Sequence, residues 1–345
     1  MYNGVFVDEG EKMLSRISCK NESSKKTTYC KPCFLVSIVI PAYNASLYLT
    51  QAIESALAQT YQAVEVIVIN DGSTDDGTTR KIGMSYGDRI RYYEKENGGC
   101  ASALNYGIQV MSGEWFSWLS HDDLYMPEKI EKLIALIEKF NLNPESIVLG
   151  CNDLIMNPQG ETTRNFFNNS TGILSPEKAF GETLNVKTIN GCGLLIPKAI
   201  LDRVGGFRTD YKHLLDREMW MRIALNRYSY CFDEKPLVIS RVHNQQITVK
   251  GKDSLYQEES RLIDEYVKAI NSNTKEVEFL KMLCYFAFKR KHGKQGKEIA
   301  EILKLHGKHG IRTQFNIIKF KTEGSLKRVV SSCYKKKIRH MKVQK

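Results

Sequence analysis

Short apolar runs alternate with helically spaced stretches along the first half of the chain. Residues 35–40 (LVSIVI) have the apolar, β-branched character of a buried strand, closed by Pro41, Ala42, Tyr43 and Asn44. Ser46 is placed to cap a helix that carries Leu47, Leu49, Ile53, Ala56 and Leu57 at helical spacing. Residues 64–69 (VEVIVI) predict a second strand, ending in Asn70, Asp71, Gly72 and Ser73, and Thr74 starts the next helix. Residues 90–93 predict a third strand, followed by a turn at Gly98 and Gly99 and a helix through Val110. Residues 115–119 (WFSWL) form a fourth, aromatic strand that runs into His121, Asp122 and Asp123. Pro127 then opens an amphipathic helix to Phe140, at a position where a missing backbone N–H costs nothing.

Strands alternating with helices at this spacing predict an α/β fold built on a doubly wound, mostly parallel sheet. The polar residues that end each strand then gather at one edge, where open α/β sheets bind ligands. After a fifth strand at residues 146–150 the rhythm changes. Asn157, Pro158, Gln159 and Gly160 read as a hairpin turn, with polar loop to residue 175. A short strand at 194–197, a turn at Gly205 and Gly206, a helix over 214–227 and a strand pair around Tyr230 and 237–242 follow. From residue 256 onward the chain reads as helical and basic. Three regions result: a polar leader at 1–33 with one short helix near 9–17, a globular domain at 34–250, and a helical basic region at 251–345.

Composition adds charge asymmetry to this picture. The 345 residues are 42% hydrophobic and carry a net charge of +11, with a mean hydropathy of −0.35. Residues 289–345 hold 18 Lys plus Arg against 3 Asp plus Glu, a net of +15, so the preceding 288 residues carry −4. Such a tail suits an anionic membrane surface, nucleic acid or solvent. No run of about 18 apolar residues marks a transmembrane helix, and the N-terminus lacks the basic and apolar regions of a signal peptide. The nine Cys are scattered, with Cys151, Cys192 and Cys284 in apolar stretches, which suits reduced thiols in the cytoplasm. Cys30 and Cys33 form one Cys-x-x-Cys pair, but no second pair completes the four ligands of a zinc site.

Asp122 and Asp123 repel one another, and a hard divalent cation at the sheet edge would stabilise both. The plainer reading is an acid pair that complements the dipole of the next helix. Asp71 opens an Asp-Gly-Ser turn, where its carboxylate can accept a ligand's N–H or simply cap the helix that follows. His121 is expected to be an exposed neighbour, since hard cations prefer oxygen.

Residues 36–76, with the later segments, resemble a family 2 glycosyltransferase of the inverting, GT-A type. The resemblance covers roughly residues 35–250. It implies a nucleotide-binding half at 34–130 and an acceptor half at 131–250. It also implies that Asp71 contacts uracil, that Tyr43 packs on the base, and that Pro41, Asn44 and Asn97 line the nucleotide. Residues 97–107 resemble the family's loop and helix over the nucleotide, although Leu104 stands where a family Arg is common. Asp122 and Asp123 match the end of the family's metal motif, with Ser120 at its first acidic position. On this basis Asp123 is the expected metal ligand, and Asp122 lies nearer the ribose or just behind the metal's ligands. His243 matches a late motif whose His reaches the metal or diphosphate, and a lone His is otherwise packing or solvent. The glycines at 191, 193, 205 and 206 resemble the acceptor-side turns. Asp216 matches the catalytic acid of a Glu-Asp pair whose first member is Leu215 here. It is the expected general base, and loss of its neighbour should lower its pKa.

The resemblance implies an inverting transfer of a sugar from a nucleotide sugar, UDP-linked, to a glycan or lipid-linked hydroxyl, with Mn2+ or Mg2+ as cofactor. The acceptor half and the loop before His243 would exclude water. The expected location is cytoplasmic, peripheral on the inner face of the membrane through the basic tail. Nucleic acid is not the expected partner, because aromatics such as Phe315 lie on an apolar helix face. A sugar nucleotidyltransferase is the alternative enzyme, and it lacks its glycine-rich phosphate loop after the first strand. A processive synthase lacks its membrane helices and Gln-x-x-Arg-Trp pattern.

Overall fold

A computed structural model describes residues 34–164, 170–184, 189–243, 252–271 and 277–305. The leader with its expected helix, Cys30 and Cys33, and the tail from residue 306, including Phe315, lie outside the described residues. The strands are β1 (Val36–Ala42), β2 (Val64–Asp71), β3 (Arg91–Lys95), β4 (Trp115–Trp118), β5 (Leu124–Tyr125), β6 (Ile147–Met156), β7 (Thr162–Arg164), β8 (Gly172–Leu174), β9 (Leu194–Pro197) and β10 (Ser229–Arg241). The helices are α1 (Leu49–Leu57), α2 (Thr78–Met84), α3 (Cys100–Val110), α4 (Lys129–Lys139), α5 (Pro176–Leu184), α6 (Lys198–Val204) and α7 (Leu215–Leu225). Three more follow, α8 (Lys252–Asn271), α9 (Val277–Lys289) and α10 (Gly293–Leu305).

The strands form one ten-stranded sheet in the order β3-β2-β1-β4-β9-β6-β10-β5, with β7 beside β6 and β8 beside β10. The pairs β1–β2, β2–β3, β1–β4 and β6–β10 are parallel, while β9 runs antiparallel to β4 and β6. The expected mostly parallel α/β sheet is therefore present. Alternation of side chains along β1 and β2 supplies both faces. Val39, Ile67 and Ile69 enter a core shared with α3, α5 and α7, and Ile38, Ile40, Val66 and Val68 enter the opposite core with α1 and α4. Pro41 is tolerated in this central strand because pairing with β4 stops at Val39.

The structure departs from the sequence expectations in several places. Helix α1 starts at Leu49 with Tyr48 before it and no side-chain cap, so Ser46 does not cap it. Thr79 Oγ1 instead accepts from the Ala45 N–H at 2.8 Å and fixes the chain there. Helix α2 begins at Thr78, four residues after the expected start. Helices α5 and α6 arise in stretches to which the sequence pattern assigned no element, and α6 ends at the expected Gly205 turn. The expected strand pair near the end is one strand, β10, parallel to β6 throughout. Its register shifts at Asp233 and Pro236 show why: the turn-like residues are absorbed as an irregularity without reversing the chain. Helices α8, α9 and α10 contribute Leu262, Phe279 and Ile299 to the same core as α5 and α7.

Candidate active site

The ends of β1, β2 and β4, the start of α3 and the start of α7 carry the expected site residues. Asn44 takes a left-handed backbone (φ 48) after β1. Its Oδ1 accepts from the Thr74 N–H at 2.7 Å, and its own N–H donates to Ser73 Oγ at 3.0 Å. Asn44 thus ties the first strand's loop to the second's, beside a 45% exposed Tyr43.

Asp71 ends β2 and is only 2% exposed. Its Oδ1 accepts from Lys95 Nζ at 2.6 Å and the Gly98 N–H at 3.0 Å, and its Oδ2 from the Gly99 N–H at 2.7 Å. Asn97 Nδ2 donates to the Asp71 carbonyl at 2.9 Å. The carboxylate that the sequence points at a ligand therefore also fastens the turn leading into α3. Lys95, which the sequence reading missed, is the cation at this corner. Leu104 lies fully buried in the core.

At the end of β4 the two acids part company. Asp122 Oδ2 lies 2.9 Å from His243 Nε2, at the end of β10. The His243 ring packs on Tyr48, 5.2 Å between centroids. Asp123, expected as the metal ligand, turns inward and is 7% exposed. Its Oδ1 accepts from the Arg241 N–H at 3.0 Å, and the Cys192 thiol lies 3.4 Å from its Oδ2. Burial, and then the Asp122 charge, push its carboxyl up to about 8. Arg241 Nη1 also donates to the Asp122 carbonyl at 2.9 Å, and its guanidinium lies over the Tyr48 ring and bonds Gln51. His121 is half-buried and bonded to the Pro41 backbone, so the expectation of an exposed neighbour is corrected. Burial pushes its imidazole below the usual value.

Asp216 sits in the first turn of α7 and is half-buried. Burial raises its carboxyl above the usual range, against the Arg217 N–H at 2.7 Å and the Arg217 charge. The expected lowering through loss of a neighbouring acid is thus outweighed by desolvation. Asn105 of α3 exchanges two bonds with the Phe207 backbone, at 2.8 and 2.7 Å, and so joins the nucleotide side to the Gly205, Gly206 turn. Gly191 lies where a Cβ would meet Trp118 at 2.7 Å and Trp220 at 3.5 Å, so glycine lets two indoles close in beside α7. The loop expected before His243 is the end of β10, held by the Val242 N–H on the Met156 carbonyl at 2.9 Å. Stretches 165–169 and 185–188 lie outside the described residues.

One thiol reports the convergence. Cys100, first residue of α3, is pushed up to about 12 by burial and then by the charges of Asp216, Asp71 and Asp122. Charges from the ends of β2 and β4 and from the start of α7 thus all reach the same helix start. Among the described residues no group of three His, Cys, Asp or Glu side chains forms a closed metal cage. Asp122 with His243 fits a divalent cation that draws its other ligands from water and substrate phosphate. Asp123 fits poorly, because both its oxygens face donors of the chain.

The family model "Glycosyl transferase family 2" matches residues 37–205. An uncharacterized glycosyltransferase of Rickettsia typhi is 41% identical over 244 residues, 68% of this chain and 72% of that protein. A Rickettsia felis relative, also an uncharacterized glycosyltransferase, is 44% identical over 214 residues, 62% of this chain. The match spans only 35% of that relative's length. Among solved structures, S. aureus TarS 1–349 in complex with UDP-GlcNAc superposes with a TM-score of 0.58 at 18% identity, over 79% of this chain and 82% of that one. That likeness carries the fold alone. The sequence similarity carries the family: this chain belongs to glycosyltransferase family 2.

Proposed function

We propose that the protein transfers a sugar, with inversion, from a UDP-linked donor to a hydroxyl of a glycan or lipid-linked acceptor. The observation that carries this reading is the placement of Asp71 at the end of β2 and of Asp122 just after β4, strands that both flank β1 in parallel and so bring the two carboxylates to one sheet edge. The UDP-GlcNAc complex of the similarly folded TarS supports the choice of nucleotide.

In this reading Tyr43, Pro41, Asn44 and Asn97 frame the nucleobase. Asp71 has two oxygens and about four lone-pair sites. Three are engaged by Lys95, Gly98 and Gly99, which leaves one direction on Oδ2 for a uracil N–H. Asp122 and His243 would hold Mn2+ or Mg2+, which when bound neutralises diphosphate charge as a Lewis acid. Asp216 takes the acceptor hydroxyl's proton as its oxygen attacks the anomeric carbon. The bond to the diphosphate oxygen breaks on the opposite face, and its electron pair leaves with UDP. General-base help of this kind contributes about 10²–10⁴-fold. The raised Asp216 carboxyl is better matched to accepting a proton near neutral pH than an ordinary aspartate. The half-buried indole of Trp118 beside Gly191, backed by the buried Trp220, gives the acceptor side an apolar surface suited to a sugar face.

Purified protein incubated with manganese and a panel of nucleotide sugars should release UDP from one or more UDP-sugars, and Asp216→Asn should not. Release from none of the panel, or only from donors with other nucleotides, sinks the donor assignment. A peripheral membrane location rests on the net charge of +15 over residues 289–345. No helix among the described residues is long and apolar enough to cross a membrane. Liposome flotation of the full chain and of a form ending at residue 305, which keeps α10, tests that location, and equal flotation of both forms rejects it.

A further inference from the structure

Helix α7 begins without a cap of its own. Leu214 precedes it and offers no side-chain acceptor, yet Asp216 lies within its first turn. Orphan N–H groups at a helix start need acceptors. The turn that leads into this helix, up to its cap position at Leu214, is held from α8. Glu258 accepts from three consecutive backbone N–H groups, Lys212 at 2.9 Å, His213 at 2.9 Å and Leu214 at 3.1 Å. The next residue, Glu259, is fully buried. It accepts from Arg217 Nη1 at 3.0 Å, and Arg290 and His292 from beyond α9 close its other sides at 2.9 and 3.5 Å.

Arg217 links this pair to the base. Its N–H donates to Asp216 Oδ1 at 2.7 Å, and its guanidinium ends on Glu259. A buried carboxylate held between two guanidiniums is costly unless its geometry is fixed, so this contact sets where the first turn of α7 sits. Two turns on, Tyr266 of α8 donates to the Glu218 carbonyl at 3.0 Å. Neither glutamate lies among the residues matched by the family model, which end at 205.

We propose that Glu258 and Glu259 of α8 are positioning residues for Asp216, so that the C-terminal helices complete the active site and are not an appended module. This rests on Asp216 being the base. Glu258 fixes the start of α7 by its backbone, and Glu259 fixes it through Arg217. Neither touches substrate. Their loss should leave the nucleotide side, built on β1, β2 and β4, unaffected.

The test uses the full chain, manganese and the UDP-sugar that turns over in the panel above. Glu258→Gln and Glu259→Gln should each lower kcat by about 10- to 100-fold, the scale of a small displacement of a reacting group. Donor KM and the Kd for UDP by calorimetry should stay within about twofold of the parent, the mark of an interaction that matters only to turnover. Unchanged kcat in both variants, or UDP affinity falling in step with kcat, overturns the proposal. If Glu259→Gln shows no cooperative thermal melt, Glu258→Gln alone decides, since it keeps the buried Arg217–Glu259 contact. Asp216→Asn in parallel separates the two readings. An active Asp216→Asn removes the base assignment itself. An inactive Asp216→Asn beside fully active glutamate variants removes only the positioning.

Discussion

His243 Nε2 lies 2.9 Å from Asp122 Oδ2, although 121 positions separate the two residues. The contact exists because β10 runs parallel to β6 to its end at Arg241, whose N–H seizes Asp123. One acid of the adjacent pair is thereby turned into the protein and the other left facing His243.

Removing either partner should expose this division. Asp122→Ala and His243→Ala are each expected to weaken manganese-dependent UDP binding by about tenfold or more, the scale at which metal sites lose affinity. Asp123→Asn should keep the manganese dependence and change the melting temperature little at neutral pH, because a carboxyl pushed up to about 8 already meets the Arg241 N–H mainly in its neutral form. Calorimetry of UDP with and without manganese checks this. Loss of the metal dependence in Asp123→Asn alone would return the ligand role to Asp123.

Asp216→Asn should abolish transfer while UDP affinity stays near that of the parent. The base must be ionised to work, and burial raises its pKa. The acidic limb of kcat/KM should therefore lie above the usual aspartate range. The Arg217 charge opposes burial, so Arg217→Met should move that limb to still higher pH. A limb that stays put or moves down would detach Asp216 from the pH profile.

Lys129 is fully buried with no carboxylate at its ammonium: Nζ donates to Ser117 Oγ at 2.9 Å and lies 3.9 Å from the Tyr125 ring centroid. Burial pushes its pKa down to about 8 from 10.5. Between those values the unfolded chain binds more protons than the folded one, so stability rises with pH through the window and is lost as pH falls. At neutral pH the buried charge costs on the order of 3 kcal/mol at about 1.4 kcal/mol per pH unit. Lys129→Met should melt higher than the parent at pH 7, and the difference should shrink between pH 8 and 9.5. A constant difference across that range would show that Lys129 does not titrate in the fold.

Gly107 lets α3 settle on β1. A Cβ there would stand 2.3 Å from Val39 Cγ1 and 3.0 Å from its Cγ2. Gly107→Ala should cost about 1–3 kcal/mol by overpacking, despite alanine's better helix propensity. Denaturant unfolding measures it, and a neutral or stabilising result would mean that the helix can lift off the sheet freely.

Much of the fold was legible because β1 to β4 and their helices carry strong local periodicity. The ends of those strands placed Asp71, Asp122 and Asp123 at one edge before any coordinates. Where the pattern was weak the reading slipped. Asp233 to Pro236 looked like a reversal, and its neighbours' pairing with β6 kept it as one strand. Helices α5 and α6 carry short, mixed patterns that are stabilised by the core they enter. Ser46 has the right chemistry for a cap, and the chain beside it is held by Thr79 instead.

The sequence by itself determined the sheet, the edge at which chemistry gathers and the acids that reach it, because those follow from side-chain alternation and from polar residues at strand ends. Only the tertiary structure decided what each acid faces. Asp123 meets Arg241, Asp122 meets His243, and Asp216 is held through Arg217 by Glu259. These partners lie far apart in the chain, and burial changes what each carboxylate can do. A linear pattern carries neither the pairing nor the desolvation.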